Sequence, residues 1–424
     1  MNVVFIIYVG NSFGDATFFI NFANQLKSAN INSFFVVPPL VSNYIKSYGF
    51  EVYNFTSSFN KNIELLDKLI KKTNPSLLIF SNIITITSLD FLPRGMQSFK
   101  DKHLILKSFI ENIMRSLVQT YNLPILALPS YPHRGPINKK EVDIIKSYYP
   151  DKVYYLFPCP YAFPNYNDPS FFYWKIYDKK PFINKEKKEK IRETLNCKKE
   201  DKIVFTTVGL WSYTGTISLK PMYYKLLREL LIYYLSQLPF NIHLINVDPG
   251  LEQSSQRSFY PNVFIHNFNL LEAEEYENLL LSSDLFIGEY FFQSSLIKSF
   301  MSDIPVLLLQ NTLLLQDITN VLEKNLPVKN PEILSLISKT FQGMIKSNGK
   351  NLSIEIAISN EFVKEEPFYK CLNKSEIFNH KTIYNQLYDL LTNKNVNNNI
   401  RDYKNSIKDL PLALDILSKI VNFK

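Results

Sequence analysis

The chain has 424 residues, more than one ordinary hydrophobic core supports, so two domains are expected. Its composition is 46% hydrophobic and 20% charged with only 11 glycines, which excludes whole-chain disorder, collagen, coiled coil and glycine-rich repeats. Lys and Arg number 47 against 39 Asp and Glu, and this net +8 is too dilute for a dedicated nucleic-acid binder.

The N-terminus, MNVVFIIYVG, has no basic region ahead of its apolar run and meets a glycine after nine residues, which predicts a buried strand rather than a signal peptide. No apolar run reaches the roughly 18 residues that cross a bilayer, so a cytoplasmic protein without a transmembrane segment is expected. Residues 3–9 (VVFIIYV) read as a strand buried on both faces of a parallel sheet. After the turn Gly10–Asp15, Phe19, Phe22, Ala23 and Leu26 recur at i, i+3, i+4 and i+7, so a helix follows. Strand 33–37, helix 41–48 and strand 51–55 come next. The pattern continues with helix 63–72, strand 76–80, helix 102–121, strand 124–128, helix 140–147 and strand 153–157. This alternation is that of a doubly wound α/β layer.

Residues 158–181, rich in proline, asparagine and aromatics, read as a linker or crossover rather than core, followed by a charged helix over 184–196. In the run KEKKEK (185–190) two glutamates dilute the lysines, and a solvated face is expected. A second series then opens with strand 202–208. It runs through helix 221–236, strands 241–247 and 262–266, helix 272–281, strand 285–287, helix 294–301 and strand 305–309. The reading is therefore α/β: an N-terminal Rossmann-like domain over 1–175, a linker over 176–200 and a second Rossmann-like domain over 201–375. A helical tail over 376–424 ends in an amphipathic helix with Leu414, Leu417 and Val421 on one face, able to cross back to the first domain.

Open parallel sheets bind ligands outside the carboxyl ends of their strands, so the first-strand loops of both halves are the places for chemistry, facing each other across a cleft. The first loop is Gly10-Asn11-Ser12-Phe13-Gly14-Asp15. Asp15 either caps the following helix or, as a carboxylate at the sheet edge, takes a proton from a substrate hydroxyl. In the second half, Ser294 and Ser295 open a helix whose free N–H groups and positive dipole end suit an anion, or they simply cap it. Lys298, one turn in, either screens phosphate charge or, as the expected case, faces solvent. The cysteines Cys159, Cys197 and Cys371 are far apart and odd in number, which specifies no disulfide framework. Neither Cys-x-x-Cys nor His-x-x-x-His spacing occurs, so no metal centre is expected. The absence of Gly-x-x-x-x-Gly-Lys-Ser/Thr and of Gly-x-Gly-x-x-Gly removes the main support for kinase-type and dehydrogenase readings. Of the histidines, His103, His243, His266 and His380 are expected in structural roles.

In these features the chain resembles the GT-B glycosyltransferases, particularly the branch that modifies natural products and lipids. The N-terminal stretch VGNSFGDATFFINFANQL is similar to that family's strand, Gly-Asp turn and helix with Ala-x-x-Leu, here Ala23 and Leu26. The strand and glycine turn Phe205–Gly209 look like the opening of the donor domain. Residues 262–284 are similar to the segment around the nucleotide base, and 285–309 to the diphosphate-binding turn, helix and Pro-led strand. The likeness spans roughly residues 1–330 in order and layout.

The resemblance implies a metal-independent, inverting transfer of a sugar from a UDP- or dTDP-type donor to a hydroxyl of a small-molecule or lipid-like acceptor. Asp15 would be the acceptor-activating base. Donor contacts would come from Gly209, Phe268, Glu289, Gln293, Ser294, Ser295, Gln310 and Asp317, and acceptor contacts from Asn11, Ser12, Phe13 and His133. No cofactor beyond the donor substrate is implied. Gln310 and Gln316-Asp317 fall where the family places an acidic and amide pair against the sugar hydroxyls, or form an ordinary surface loop. The chain departs from the family at Gly288-Glu289-Tyr290-Phe291-Phe292-Gln293, where a histidine and paired glycines are usual, and at Ile297 or Lys298, where a ribose-binding glutamate is usual. A sugar-nucleotide-binding or partner-activating protein without catalysis, and a sugar-nucleotide 2-epimerase, are the alternatives.

Overall fold

The structure is a computed structural model that describes residues 1–7, 13–81, 120–128, 153–161, 168–209, 220–258, 260–289, 291, 293–310, 335, 366–392 and 398–421. It divides into two compact units, residues 1–178, 365–368 and 403–424 in one, and 179–364 and 369–402 in the other.

In the first unit, strands β1 (Asn2–Ile6), β2 (Asn32–Val37), β3 (Glu51–Asn54), β4 (Leu77–Phe80), β5 (Ile125–Ala127), β6 (Val153–Cys159) and β7 (Phe171–Lys175) form one sheet in the order β3-β2-β1-β4-β5-β6-β7. Every pairing in it is parallel. The helices α1 (Phe13–Lys27), α2 (Pro39–Lys46) and α3 (Phe59–Thr73) follow the first three strands. Because successive strand residues point to opposite faces, Val4 and Ile6 join the cluster that contains Leu66, Leu69 and Ile70 of α3. Phe5 lies on the other face, where its ring stacks on Phe35 at 4.7 Å and meets Phe19 and Phe22 of α1.

Strand β7 lies inside the stretch expected to be a linker. Trp174 is fully buried there, its ring against Phe22 at 5.1 Å and its Nε1–H donating to Gln25 Oε1 at 2.8 Å. A seventh strand paired to β6 thus extends the core to residue 175, which the proline-rich composition hid.

In the second unit, β8 (Lys202–Thr207), β9 (Ile242–Val247), β10 (Ser254–Arg257), β11 (Val263–Phe268), β12 (Leu285–Gly288), β13 (Val306–Gln310) and β14 (Asn373–Glu376) form a sheet in the order β10-β11-β9-β8-β12-β13-β14. It is parallel except for the edge strand β10, which runs antiparallel to β11. The remaining described helices, in chain order, are α4 (Lys185–Thr194), α5 (Lys220–Ser236), α6 (Ala273–Ser282), α7 (Ser294–Met301), α8 (Pro367–Cys371), α9 (His380–Thr392), α10 (Asn398–Ser406) and α11 (Ala413–Val421), of which α4 to α7 and α9 lie wholly in the second unit. The charged helix α4 packs along α6, and Lys187 Nζ meets Glu274 Oε1 at 2.7 Å, so it belongs to this unit.

The stretch read as a tail is shared. β14 and α9 complete the second unit, whereas residues 403–424 return to the first, where α11 packs on α1 and β7. The buried face of α11 is Ala413, Ile416, Leu417 and Ile420, at i, i+3, i+4 and i+7, and Leu414 is exposed. The predicted stripe through Leu414 and Val421 is therefore rotated by about a quarter turn. Among the described residues no helix is long and apolar enough to cross a membrane.

Candidate functional site

In a doubly wound sheet the ligand crevice lies outside the carboxyl ends of the strands where strand order reverses. In the second unit that reversal falls between β8 and β12, which are paired neighbours. Four segments end at this edge: β8 leading to Gly209, β11 at Phe268, β12 leading to Glu289, and β13 at Gln310. The sequence-predicted donor residues Gly209, Phe268, Glu289, Gln293, Ser294, Ser295 and Gln310 thus belong to one edge of one sheet. Asp317 lies outside the described residues.

The turn between β12 and α7 is bridged across the reversal by Gln293, whose Nε2 donates to Thr207 O of β8 at 3.1 Å. Gly288 makes this possible: a Cβ there would stand 2.5 Å from Gln293 Oε1 and 3.0 Å from Phe286 Cε1. Gln293 occupies the cap position of α7 in an extended conformation (φ −72°, ψ 125°) but provides no side-chain capping bond, and the first turn holds no acidic residue. The carbonyl of Gln293 accepts from the amides of Leu296 and Ile297, leaving those of Ser294 and Ser295 with no acceptor among the described residues. Two other helices carry a side-chain cap, Ser58 Oγ accepting from Lys61 N at α3 and Asn184 Oδ1 from Lys187 N at α4, whereas α2 and α6, like α7, have none. The start of α7 is therefore a set of donors unpaired among the described residues at the positive end of a helix, an arrangement suited to an anion.

The side chains around it differ from expectation in three respects. Ser295 is buried and its hydroxyl is held by Tyr276 Oη of α6 at 2.5 Å, so its contribution to a ligand is its amide, not its hydroxyl. Lys298 does not face solvent. It is buried and ion-paired with Glu277 of α6, because α6 packs against α7. Gln310 Nε2 donates to Tyr369 Oη, whose hydroxyl burial pushes above its ordinary value and so keeps protonated, and Phe291 meets the same ring edge-on at 5.5 Å. Glu289 is buried at the end of β12, and Phe268 and Gly209 are half-buried.

In the first unit α1 already begins at Phe13, so Asp15 lies within its first turn rather than at the cap position that one of its two sequence readings gave it. A carboxylate there is favoured by the helix dipole, and Asp15 is half-buried. Phe13, expected to contact the acceptor, is half-buried and packs edge-on against Tyr44 of α2 at 5.5 Å. Asn11, Ser12 and His133 lie outside the described residues. Tyr276 and Tyr369 were not singled out from sequence, since each acquires its place only through packing between elements distant along the chain.

Two sheets in which each first strand is flanked on both sides and followed by a helix define a double Rossmann-like protein of the GT-B class. The chain is similar over its whole length to solved glycosyltransferase structures. The glycosyltransferase SnogD from Streptomyces nogalater superposes with a TM-score of 0.52 at 9% identity, covering 100% of this chain and 99% of that one. The spinosyn forosaminyltransferase SpnP gives 0.53 at 11% identity over 100% of each chain, and the glycosyltransferase VinC in complex with dTDP gives 0.53 at 9% over 100% of each. Residues 22–424 match the family of unknown function DUF6365, and the chain belongs to that family. No curated protein matches its sequence.

Proposed function

We propose that the chain is a glycosyltransferase that moves a sugar from a nucleoside-diphosphate donor to a hydroxyl of a small-molecule or lipid-like acceptor. What carries this reading is the uncapped start of α7 beside the β8–β12 reversal, tied to β8 by Gln293. The amides of Ser294 and Ser295 would hold the diphosphate and stabilise the charge that develops as it leaves. Lys298 is neutralised by Glu277, so in this reading the amides and the helix dipole supply that stabilisation. The likeness to a glycosyltransferase solved with dTDP supports a pyrimidine nucleotide as donor base.

In this reading the Asp15 carboxylate takes the acceptor hydroxyl proton. The resulting oxygen attacks the anomeric carbon from the face opposite the departing diphosphate, which inverts the configuration. Gln310 and Tyr369 form a hydrogen-bonded pair at the β13 edge that can address sugar hydroxyls.

The test is a panel of UDP- and dTDP-sugars, scored by thermal stabilisation and by donor turnover with and without candidate acceptors. Stabilisation by one base class with slow donor hydrolysis is expected, and Asp15→Asn should abolish turnover while leaving stabilisation intact. Stabilisation without turnover for any acceptor would instead indicate a non-catalytic sugar-nucleotide-binding protein. No response to any nucleotide would refute the proposal.

A further inference from the structure

At the amino edge of the second sheet, away from the donor edge, three polar side chains from three segments converge in the interior. Cys197 follows α4, Asp201 precedes β8, and His243 is the second residue of β9. One ligand atom from each lies within 4.8 Å of the other two. Asp201 and His243 are 4% and 2% exposed, so both are taken almost wholly out of water. Cys197 is half-buried and leaves a route in from solvent.

The orientation of each group is fixed from behind. His243 Nδ1 is engaged by His266 Nε2 at 3.0 Å, and the two rings stack. Asp201 Oδ2 accepts from Lys198 N at 2.8 Å and Oδ1 from Asn241 Nδ2 at 3.0 Å. These bonds aim His243 Nε2 at Asp201 Oδ2, 3.4 Å away, but Nε2 makes no hydrogen bond. The donor and acceptor roles of the two histidines depend on the tautomer. In the tautomer with Nδ1–H donating to His266, the Nε2 lone pair faces the carboxylate in a dry site, an arrangement that a cation between them would satisfy.

We propose that Cys197, Asp201 and His243 bind a divalent thiophilic cation of the Zn2+ type, with water as fourth ligand. Thiolate, carboxylate and imidazole are the donor set zinc prefers. In a tetrahedron, a zinc–sulfur bond of about 2.3 Å and a zinc–nitrogen bond of about 2.0 Å set the two ligand atoms about 3.5 Å apart. The present spacing, within 4.8 Å, closes to this by rotation of the side chains. On binding, the S–H bond of Cys197 breaks, its proton passes to buffer and the sulfur lone pair goes to the metal. The charges facing the site are those of Asp201, Glu200 and Asp284 against Arg192, an excess of negative charge that favours a cation.

A nucleophilic role for Cys197 does not fit, because burial pushes its thiol up to about 11 and the nearby histidine nitrogen faces Asp201 instead of backing the sulfur. Six strand residues of β8, about 20 Å at ~3.3 Å each, separate this site from the donor edge. The metal would accordingly be structural, fastening the end of α4 to the starts of β8 and β9. None of this depends on the transferase reading.

The experiment is titration of chelator-treated full-length protein with Co2+, followed by displacement with Zn2+. One Co2+ per chain is expected, with a thiolate-to-cobalt charge-transfer band that Zn2+ abolishes. The band should vanish in Cys197→Ser and persist in Cys371→Ser. Zn2+ affinity should fall more than about 100-fold in Cys197→Ser, since loss of a mere ligand-supporting group already costs 10–100-fold. Zn2+ should raise Tm in the parent and not in Cys197→Ser, a conservative change at a half-buried position. The absence of a charge-transfer band, its survival in Cys197→Ser, or a Zn2+ affinity altered less than about tenfold by that change would each overturn the proposal.

Discussion

Proline at position 294 isolates the contribution of one backbone amide at the proposed diphosphate site. Ser294 is the first residue of α7, where proline is well tolerated because that N–H has no intrahelical acceptor. The preceding residue, Gln293, already has φ −72° and ψ 125°, within the range that a following proline requires. Ser294→Pro therefore removes a single donor with little change in the fold, and Tm should stay within a degree or two of the parent. A hydrogen bond from a neutral donor to a charged acceptor contributes about 1.5–3 kcal/mol, so affinity for the nucleoside diphosphate should fall about 10- to 150-fold. Calorimetric titration with UDP and dTDP measures this, with Ser294→Ala as the control that deletes the hydroxyl and keeps the amide. If Ser294→Pro binds the diphosphate as tightly as the parent while melting at the same temperature, the start of α7 does not hold the leaving group.

Gly288→Ala should lower stability by about 1–2 kcal/mol, from the lost Gln293–Thr207 bond and a displaced Phe286 ring offset by reduced freedom of the unfolded chain. In a Gln293→Ala background the cost should shrink by about 1 kcal/mol, and strict additivity in urea denaturation would show that the two residues are not coupled. Ser295→Ala should cost about 1 kcal/mol of stability through Tyr276, with Tyr276→Phe adding little further, and should leave nucleotide affinity unchanged. A clear loss of affinity would mean that the Ser295 hydroxyl contacts ligand. Gln25→Met removes four bonds, to Lys175 O, Ile176 O, Trp174 Nε1 and Ala413 N, and should destabilise by about 2–4 kcal/mol. A loss under about 1 kcal/mol would show that β7 and α11 are held by apolar packing alone.

The periodic elements were readable because they bury on both faces. The run at β1 and the i, i+3, i+4 pattern of α1 each state a core position in local text, and both reappear as fully buried residues. What local text hides is an edge. β7 sits in proline-rich sequence and earns its place through a glutamine 149 residues away. β14, of sequence NKSE, has no apolar alternation and is fixed by its register against β13, Leu307 to Asn373 through Gln310 to Glu376. The sharing of the C-terminal residues between the two units is equally invisible, since Ile416 and Leu417 are apolar whichever surface they cover.

The candidate site divides along the same line. Its backbone framework was legible, because a glycine ending an apolar strand and a helix start six residues later are local signals of an anion-binding turn. The occupation of its side chains was not. Whether Ser295 offers its hydroxyl, and whether Lys298 offers its charge, depends on Tyr276 and Glu277, which reach them only because α6 lies against α7. The Cys197–Asp201–His243 cluster is the extreme case: no two of its ligands have a recognised metal spacing, and the sheet alone assembles them by setting the start of β9 beside the start of β8. A search by motif spacing finds metal sites built on one hairpin or helix, and is blind to one whose ligands are neighbours only through strand register. The two ends of β8 thus carry different chemistry for one reason: a parallel sheet aligns all its strand starts at one edge and all its strand ends at the other, so residues remote in sequence meet at both.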